Sequence, residues 1–309
     1  MDEYAKYAFL GICHEGPNES CGNWIRGIND DVMTREHATL LRVKNDVEKI
    51  WSHFKDKENC IENRKLINPS VGDVNESLEE IIVKINQIEK TSSQYALVIY
   101  FAGHGHIDYG AMYLSNGMLN AEEIYNQVKC YYQGDRLQMD FIIDSCHSGR
   151  FIAHALRTQQ EDHDSKIYLY DLWASCFPDE KSFELKVAEH GAYTYCFLNK
   201  GNVHVKQAEL AKVINNITVN EETNSIDKKC VREIFKHIQG AGIPNPVTLL
   251  TLGKQHSFNI YRSHHVAVDG GASFEVPDKI TLIGFSNTLE RAKSKYGETI
   301  EYLDEYLIT

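Results

Sequence analysis

Two unbroken apolar runs, ALVIYF (96–101) and the stretch LQMDFIID (137–144), set the tightest constraint on how this chain folds. Each has the length of a strand and lacks the polar alternation of a half-exposed one, which suits a parallel sheet covered on both faces. The interval 102–136 is long enough for the crossover that parallel neighbours require. It carries a helical segment, NAEEIYNQVKCYY (120–132), to supply that crossover, after a GAMYLSNG stretch with the look of a hairpin.

The same strand-then-helix order extends outwards. YAKYAFLGI (4–12) and CIENRKLIN (60–68) read as strands, and LLRVKNDVEKIWSHF (40–54) as a helix with apolar residues at 40, 43, 47, 50, 51 and 54. DVNESLEEIIVKINQIEK (73–90) reads as a helix capped by Asp73 or Asn75. IYLYDLWASCF (167–177) and PVTLLTLG (246–253) are further strands, and 193–217 is helical. The run GRFIAHALRTQQEDHDSK (149–166) turns from apolar to polar and reads as a helix turn followed by an exposed linker. After residue 255 the pattern weakens, with a strand at 280–285 and a terminal helix over 286–307 interrupted at Gly297. The expectation is an α/β domain over residues 1–255, a mainly parallel central sheet flanked by helices, with a small C-terminal extension over 256–309.

Charge narrows the partners. With 32 basic against 44 acidic residues and a net charge of -12, general affinity for nucleic acid or anionic lipid is not expected. No run approaches the ~18 apolar residues of a membrane span. The first residues, MDEYAK, carry acids where a leader peptide has a basic region, so a cytoplasmic protein is expected. The eight cysteines follow no framework spacing and read as free thiols.

Both central runs end on groups that a buried strand does not tolerate: AGHGH after the first, DSCHSG after the second. If the strands are parallel neighbours, His104 and Cys146 emerge at one sheet edge, where α/β proteins build their sites. A thiol with a pKa near 8.5 is mostly protonated at neutral pH and needs a base to attack a carbonyl. His104 is placed to take that proton and return it to a leaving amine. His106 is a weaker rival, and His147, adjacent to the cysteine on an extended chain, faces the other way. The amides of Gly105 and Cys146 are candidate donors to an oxyanion, each worth on the order of 3 kcal/mol. Asp144, two residues before Cys146, is a carboxylate that a substrate arginine or lysine would neutralise. Zinc on His104, His106, Cys146 and His147 is the alternative chemistry, although this spacing rarely closes a tetrahedron.

YFAGHG and DSCHSG together resemble the caspase-like cysteine peptidases, and among them the metacaspases and their bacterial relatives. The likeness runs over residues 4–255, with LRVKNDV, ASCFPDEKSFE and HGAYTYCFL in the family's order. It implies a catalytic dyad of His104 and Cys146 and an acidic specificity pocket of Asp144 and Asp46, hence cleavage after arginine or lysine in a protein substrate. Two departures stand out. Ala102 replaces a serine common in metacaspases, which removes one pocket hydrogen bond. FIAHAL (151–156) lacks the acids that bind calcium in many members, so no cofactor is expected. Arg157 and then Lys166, in the polar linker, are the candidate self-cleavage sites. The resemblance also suggests a role in cell death or antiviral defence; residues 256–309 fit no family segment and are a candidate place for an activator. The rival reading is a catalytically silent module of the same fold.

Overall fold

The two apolar runs lie side by side in the middle of one sheet. A computed structural model of the chain describes residues 6–16, 39–55, 57–88, 95–106, 109–162, 165–176, 181–182, 184–185 and 189–200, with strand segments between 247 and 302. The elements begin β1 (Lys6–Cys13), α1 (Val43–Lys55), β2 (Cys60–Ile67), α2 (Val71–Ile88) and β3 (Tyr95–Ala102). A hairpin of β4 (Met112–Leu114) and β5 (Gly117–Leu119) precedes α3 (Ala121–Tyr131), β6 (Leu137–Asp144), α4 (Ser148–Glu161) and β7 (Ile167–Ala174). The short pair β8 (Glu184–Leu185) and β9 (His190–Gly191) leads into α5 (Ala192–Lys200). Later strands are β10 (Val247–Thr251), β11 (Asn259–Ser263), β12 (Val268–Asp269), β13 (Ala272–Ser273), β14 (Lys279–Ile283) and β15 (Ile300–Tyr302).

The sheet order is β15-β14-β11-β10-β7-β6-β3-β1-β2. From β2 to β7 every pairing is parallel, and β10 closes on β7 antiparallel. The strands after residue 255 extend this same sheet through β11 and β14.

Strand alternation assigns side chains to two layers. Tyr95, Leu97, Ile99 and Phe101 of β3 join Leu137, Met139, Phe141 and Ile143 of β6 in a core shared with Val74, Ile124 and Phe151 of α2, α3 and α4. The intervening Ala96, Val98, Tyr100, Ala102 and Ile142 pack with Val43, Val47, Ile50 and Phe54 of α1 and Tyr193 and Phe197 of α5. Covering both faces explains the unbroken hydrophobicity of the central strands. Asp144 follows Ile142 by two and so falls on the α1/α5 side. Asp46 lies on the apolar face of α1 itself and is 1% exposed.

Local signals place the helix starts. At α2 the expected cap is corrected: the Ser70 hydroxyl accepts from the Asp73 amide at 3.1 Å, while Asp73 accepts from the Ser70 amide at 2.7 Å. Asp73 is thus the third-position partner, and the helix begins two residues before it. At α3, Asn120 and Glu123 form a complete capping box.

Two expectations fail. Residues 149–166 contain no long linker: α4 runs to Glu161, with Phe151, Ile152, Ala155 and Leu156 buried. The polar run is the outer face of that helix, supported by an Arg157–Glu161 pair at 2.9 Å one turn apart. In the C-terminal segment Ile300–Tyr302 is strand, parallel to β14. Gly297 interrupts the helical period and the adjacent β-branched Thr299 and Ile300 favour extension. The remainder of the expected terminal helix, and residues 201–217 of the expected helix at 193–217, lie outside the described residues.

Replacing Asn120 with alanine removes the side-chain half of the capping box, while the backbone amide at that position still donates to Glu123, and should cost about 1 kcal/mol. Urea unfolding of the variant should show a lower midpoint with unchanged slope, and Asn120→Asp should recover most of the loss.

Candidate active site

The parallel register pairs Ala102 with Asp144, the last residues of β3 and β6. The Gly103 amide still donates to the Asp144 carbonyl at 3.3 Å, so the chain segments carrying His104 and Cys146 leave the sheet together. Contact is closest at Gly105. A Cβ built there would lie 1.9 Å from the Cys146 carbonyl oxygen and 2.8 Å from the Ser145 hydroxyl, so only glycine permits this approach.

The hairpin holds the other side of the histidine loop. Gly105 and Met112 form an antiparallel bridge, flanked by bonds from the His106 amide to Ala111 at 2.8 Å and from the Tyr113 amide to His104 at 3.1 Å. Gly105 is therefore in the non-hydrogen-bonded position, with its own amide directed away from β4. His106 is turned to this hairpin, its ring 5.5 Å from that of Tyr113.

Beyond Asp144 the chain is not extended, which corrects the expectation that Asp144 and Cys146 face the same way. Ser145–His147 forms a turn into α4, with His147 in the left-handed conformation at φ 58 and ψ 20. A serine and thiol network ties this turn to the end of β7. Ser148 lies 3.2 Å from Ser175 and accepts from the Cys176 amide at 3.2 Å; Ser175 donates to the Ser145 carbonyl at 3.1 Å. Cys146 is thus set just ahead of the N-terminus of α4, where the helix field favours a thiolate. Burial opposes that field and pushes the Cys146 thiol up, while the backbone of Ser182 and the Lys181 charge pull it down; in its protonated form the thiol faces the Ser182 carbonyl at 3.8 Å. Behind His104, His14 is buried and pushed down to about 4 by burial and by the charge of His104, so it stays neutral.

Asp46 and Asp144 converge on the backbone of Gly191. A Cβ on Gly191 would lie 2.6 Å from Asp144 Oδ2 and 3.2 Å from Asp46 Oδ2. Asp144 accepts from the Ser182 hydroxyl at 2.8 Å, the Thr194 hydroxyl at 2.7 Å and the Thr194 amide at 3.2 Å. Because Thr194 gives its proton to Asp144, the Tyr100 hydroxyl at 2.7 Å donates to Thr194. Asp46 accepts from the Gly191 amide at 2.9 Å and meets His190 Nδ1 at 2.6 Å. Burial raises both acids, Asp46 to about 7, where the His190 bond opposes and the charge of Asp144 adds to the rise. The β8–β9 clasp is anchored to α1 by Glu184, whose carboxylate accepts from the Arg42 amide at 2.7 Å and the Leu41 amide at 3.2 Å.

The structure therefore sets Gly105, next to His104 in the chain, against the turn of Cys146, and separately brings Asp46 and Asp144 onto Gly191. Ser182, Glu184, His190 and Thr194 were missed by sequence reasoning; His190 is 144 positions from Asp46, and no local pattern marks the pairing. Arg157 is not in a linker but in α4. Lys166 leads into β7, its carbonyl accepting from the Leu137 amide at 2.9 Å. Among the described residues no three His, Cys, Asp or Glu side chains cluster as a metal site. No described helix is long and apolar enough to cross a membrane.

A protein-family model, the caspase domain of peptidase family C14, matches residues 28–245. Among solved structures, a Geobacter sulfurreducens protein is similar at 15% identity and a TM-score of 0.42, over 70% of this chain and 89% of that one. Chaetomium thermophilum Raptor is similar at 10% identity and a TM-score of 0.41, over 74% of this chain and 20% of that one. No curated protein matches the sequence.

Gly105→Ala should displace the histidine loop from the Cys146 turn. Overpacking of this kind costs about 1–3 kcal/mol, so thermal unfolding should shift down modestly. Reactivity of Cys146 toward a peptide-based alkylator should fall far more than stability does.

Proposed function

The chain belongs to the caspase-domain family of cysteine-peptidase-like hydrolases, and on that footing we propose that it is an endopeptidase cutting after arginine or lysine. His104 and Cys146 are the dyad, and Asp46 and Asp144 receive the basic side chain. The observation that carries this reading is the contact of Gly105 with the Cys146 carbonyl, which holds the histidine loop against the thiol's turn.

The chemistry follows from the groups present. A thiol raised by burial stays protonated at rest, so attack begins with transfer of its proton to His104. The Cys146 sulfur then adds to the scissile carbonyl. The Gly105 amide, not used by the hairpin ladder, and the Cys146 amide donate to the oxyanion. Collapse expels the amine, which takes the proton from His104 and leaves a thioester. Water, deprotonated by His104, adds to that thioester, and the sulfur leaves to recover its proton.

The acidic pocket supports selection for a basic residue. Two buried carboxylates converging on Gly191 carry a desolvation cost that an incoming cation relieves. Arginine is favoured over lysine because its planar fork meets two carboxylates at once.

Turnover of an arginyl peptide should vanish in Cys146→Ala and drop by about 10²–10⁴ in His104→Ala, with His106→Ala and His147→Ala close to wild type. Asp46→Asn or Asp144→Asn should lower kcat/KM for basic residues by about 10–100-fold, the worth of a charge-assisted hydrogen bond. A positional peptide library tests the pocket directly. Cleavage after aspartate, or full activity in His104→Ala, would contradict the proposal.

A further inference from the structure

The two pocket acids are satisfied in different ways. Asp144 takes three bonds from neutral donors, one from Ser182 and two from Thr194, and Thr194 is steadied by Tyr100. A carboxylate offers about four acceptor positions, so Asp144 has room for about one further donor. Asp46 has one backbone amide, from Gly191, and a side chain that can carry charge, His190. The imidazole meets a carboxylate that is 1% exposed while keeping 15% of its own side-chain surface open. It stands at the solvent side of the pair, where a cation entering the pocket would arrive.

We infer that His190 is a specificity-determining positioning residue: it aligns the Asp46 carboxylate and occupies the place that a substrate's guanidinium or ammonium takes over on entering the pocket. This rests on the proposed reading of the acidic pocket and deepens it. Both acids face the incoming cation, Asp144 keeping its neutral donors and Asp46 exchanging its partner.

The surroundings of Asp46 make the exchange measurable. Asp144 faces it from β6, Tyr100 from β3, Cys13 from β1 and His190 from β9. Glu184 on β8 lies beyond them, with Arg42 beside it. Tyr100 and Cys13 are pushed up by burial and remain neutral, so Asp144 repels and His190 supports the Asp46 charge. Replacing His190 by glutamine keeps a donor but removes the imidazole whose bond and charge lower Asp46, and Asp46 should then ionise at higher pH. A residue that merely packed there would leave that midpoint unchanged.

The test uses the full chain carrying Cys146→Ala, so that binding is read apart from turnover. Agmatine, a guanidinium on a short alkyl chain, is the probe, titrated calorimetrically from pH 5.5 to 9. Below a midpoint near 7 its affinity should weaken about tenfold per pH unit as Asp46 takes up a proton. His190→Gln and His190→Asn should both move that midpoint upward, and Asp46→Asn should abolish the pH dependence. An unmoved midpoint in both histidine variants, or no agmatine binding, overturns the inference. Wild-type turnover of an arginyl peptide, measured in parallel, separates the two ideas. Turnover with an unmoved midpoint removes only the role of His190, and a moved midpoint without turnover of arginyl or lysyl peptides removes only the peptidase reading.

Discussion

The parallel pairing of β3 with β6, in the register that sets Ala102 beside Asp144, is the constraint on which the site depends. A one-residue slip would exchange the two faces of β6 and turn Asp144 from the α1/α5 layer into the α2/α3/α4 core. That register is enforced along eight paired positions in which both strands are wholly buried apart from Gln138. Apolar burial in the middle of the sheet thus determines which carboxylate reaches the pocket at its edge. The Gly105 approach to Cys146 then converts a register between strands into a contact between functional loops.

Burial at that edge has a cost, which the structure meets at Asp144 with dipoles and at Asp46 with an imidazole. Asp144 is enclosed and raised by burial, yet Ser182 and Thr194 supply donors that partly restore its charge. Asp46 is also raised by burial, with His190 as its counterpart. An apolar face on α1 interrupted by an enclosed carboxylate is locally unfavourable for folding, and such exceptions concentrate where function requires them.

Much of this was legible because it follows from period and order. Continuous apolar runs of strand length announced a covered parallel sheet, and the spacing between them required a crossover. The terminal GHG and DSCHSG then fell at one edge by topology alone. Other features were hidden for physical reasons. The α4 linker reading failed because a short apolar stripe, Phe151, Ile152, Ala155 and Leu156, suffices to bury a helix whose outer face is wholly polar. The turn at Ser145–His147 depends on a left-handed residue that is not glycine, so composition gives no sign of it. The clasp of Ser182, Glu184 and His190 joins residues far apart in sequence through hydrogen bonds, which leave no periodic trace.

The central claim is that Cys146 is a thiol activated by His104 and addressed through a pocket for basic side chains. Labelling with an arginyl chloromethylketone, followed by peptide mass spectrometry, tests it most directly. The account predicts one adduct, on Cys146, absent with an aspartyl reagent and strongly suppressed in His104→Ala. Labelling that ignores Cys146, or that modifies the exposed Cys130 at an equal rate, would contradict it.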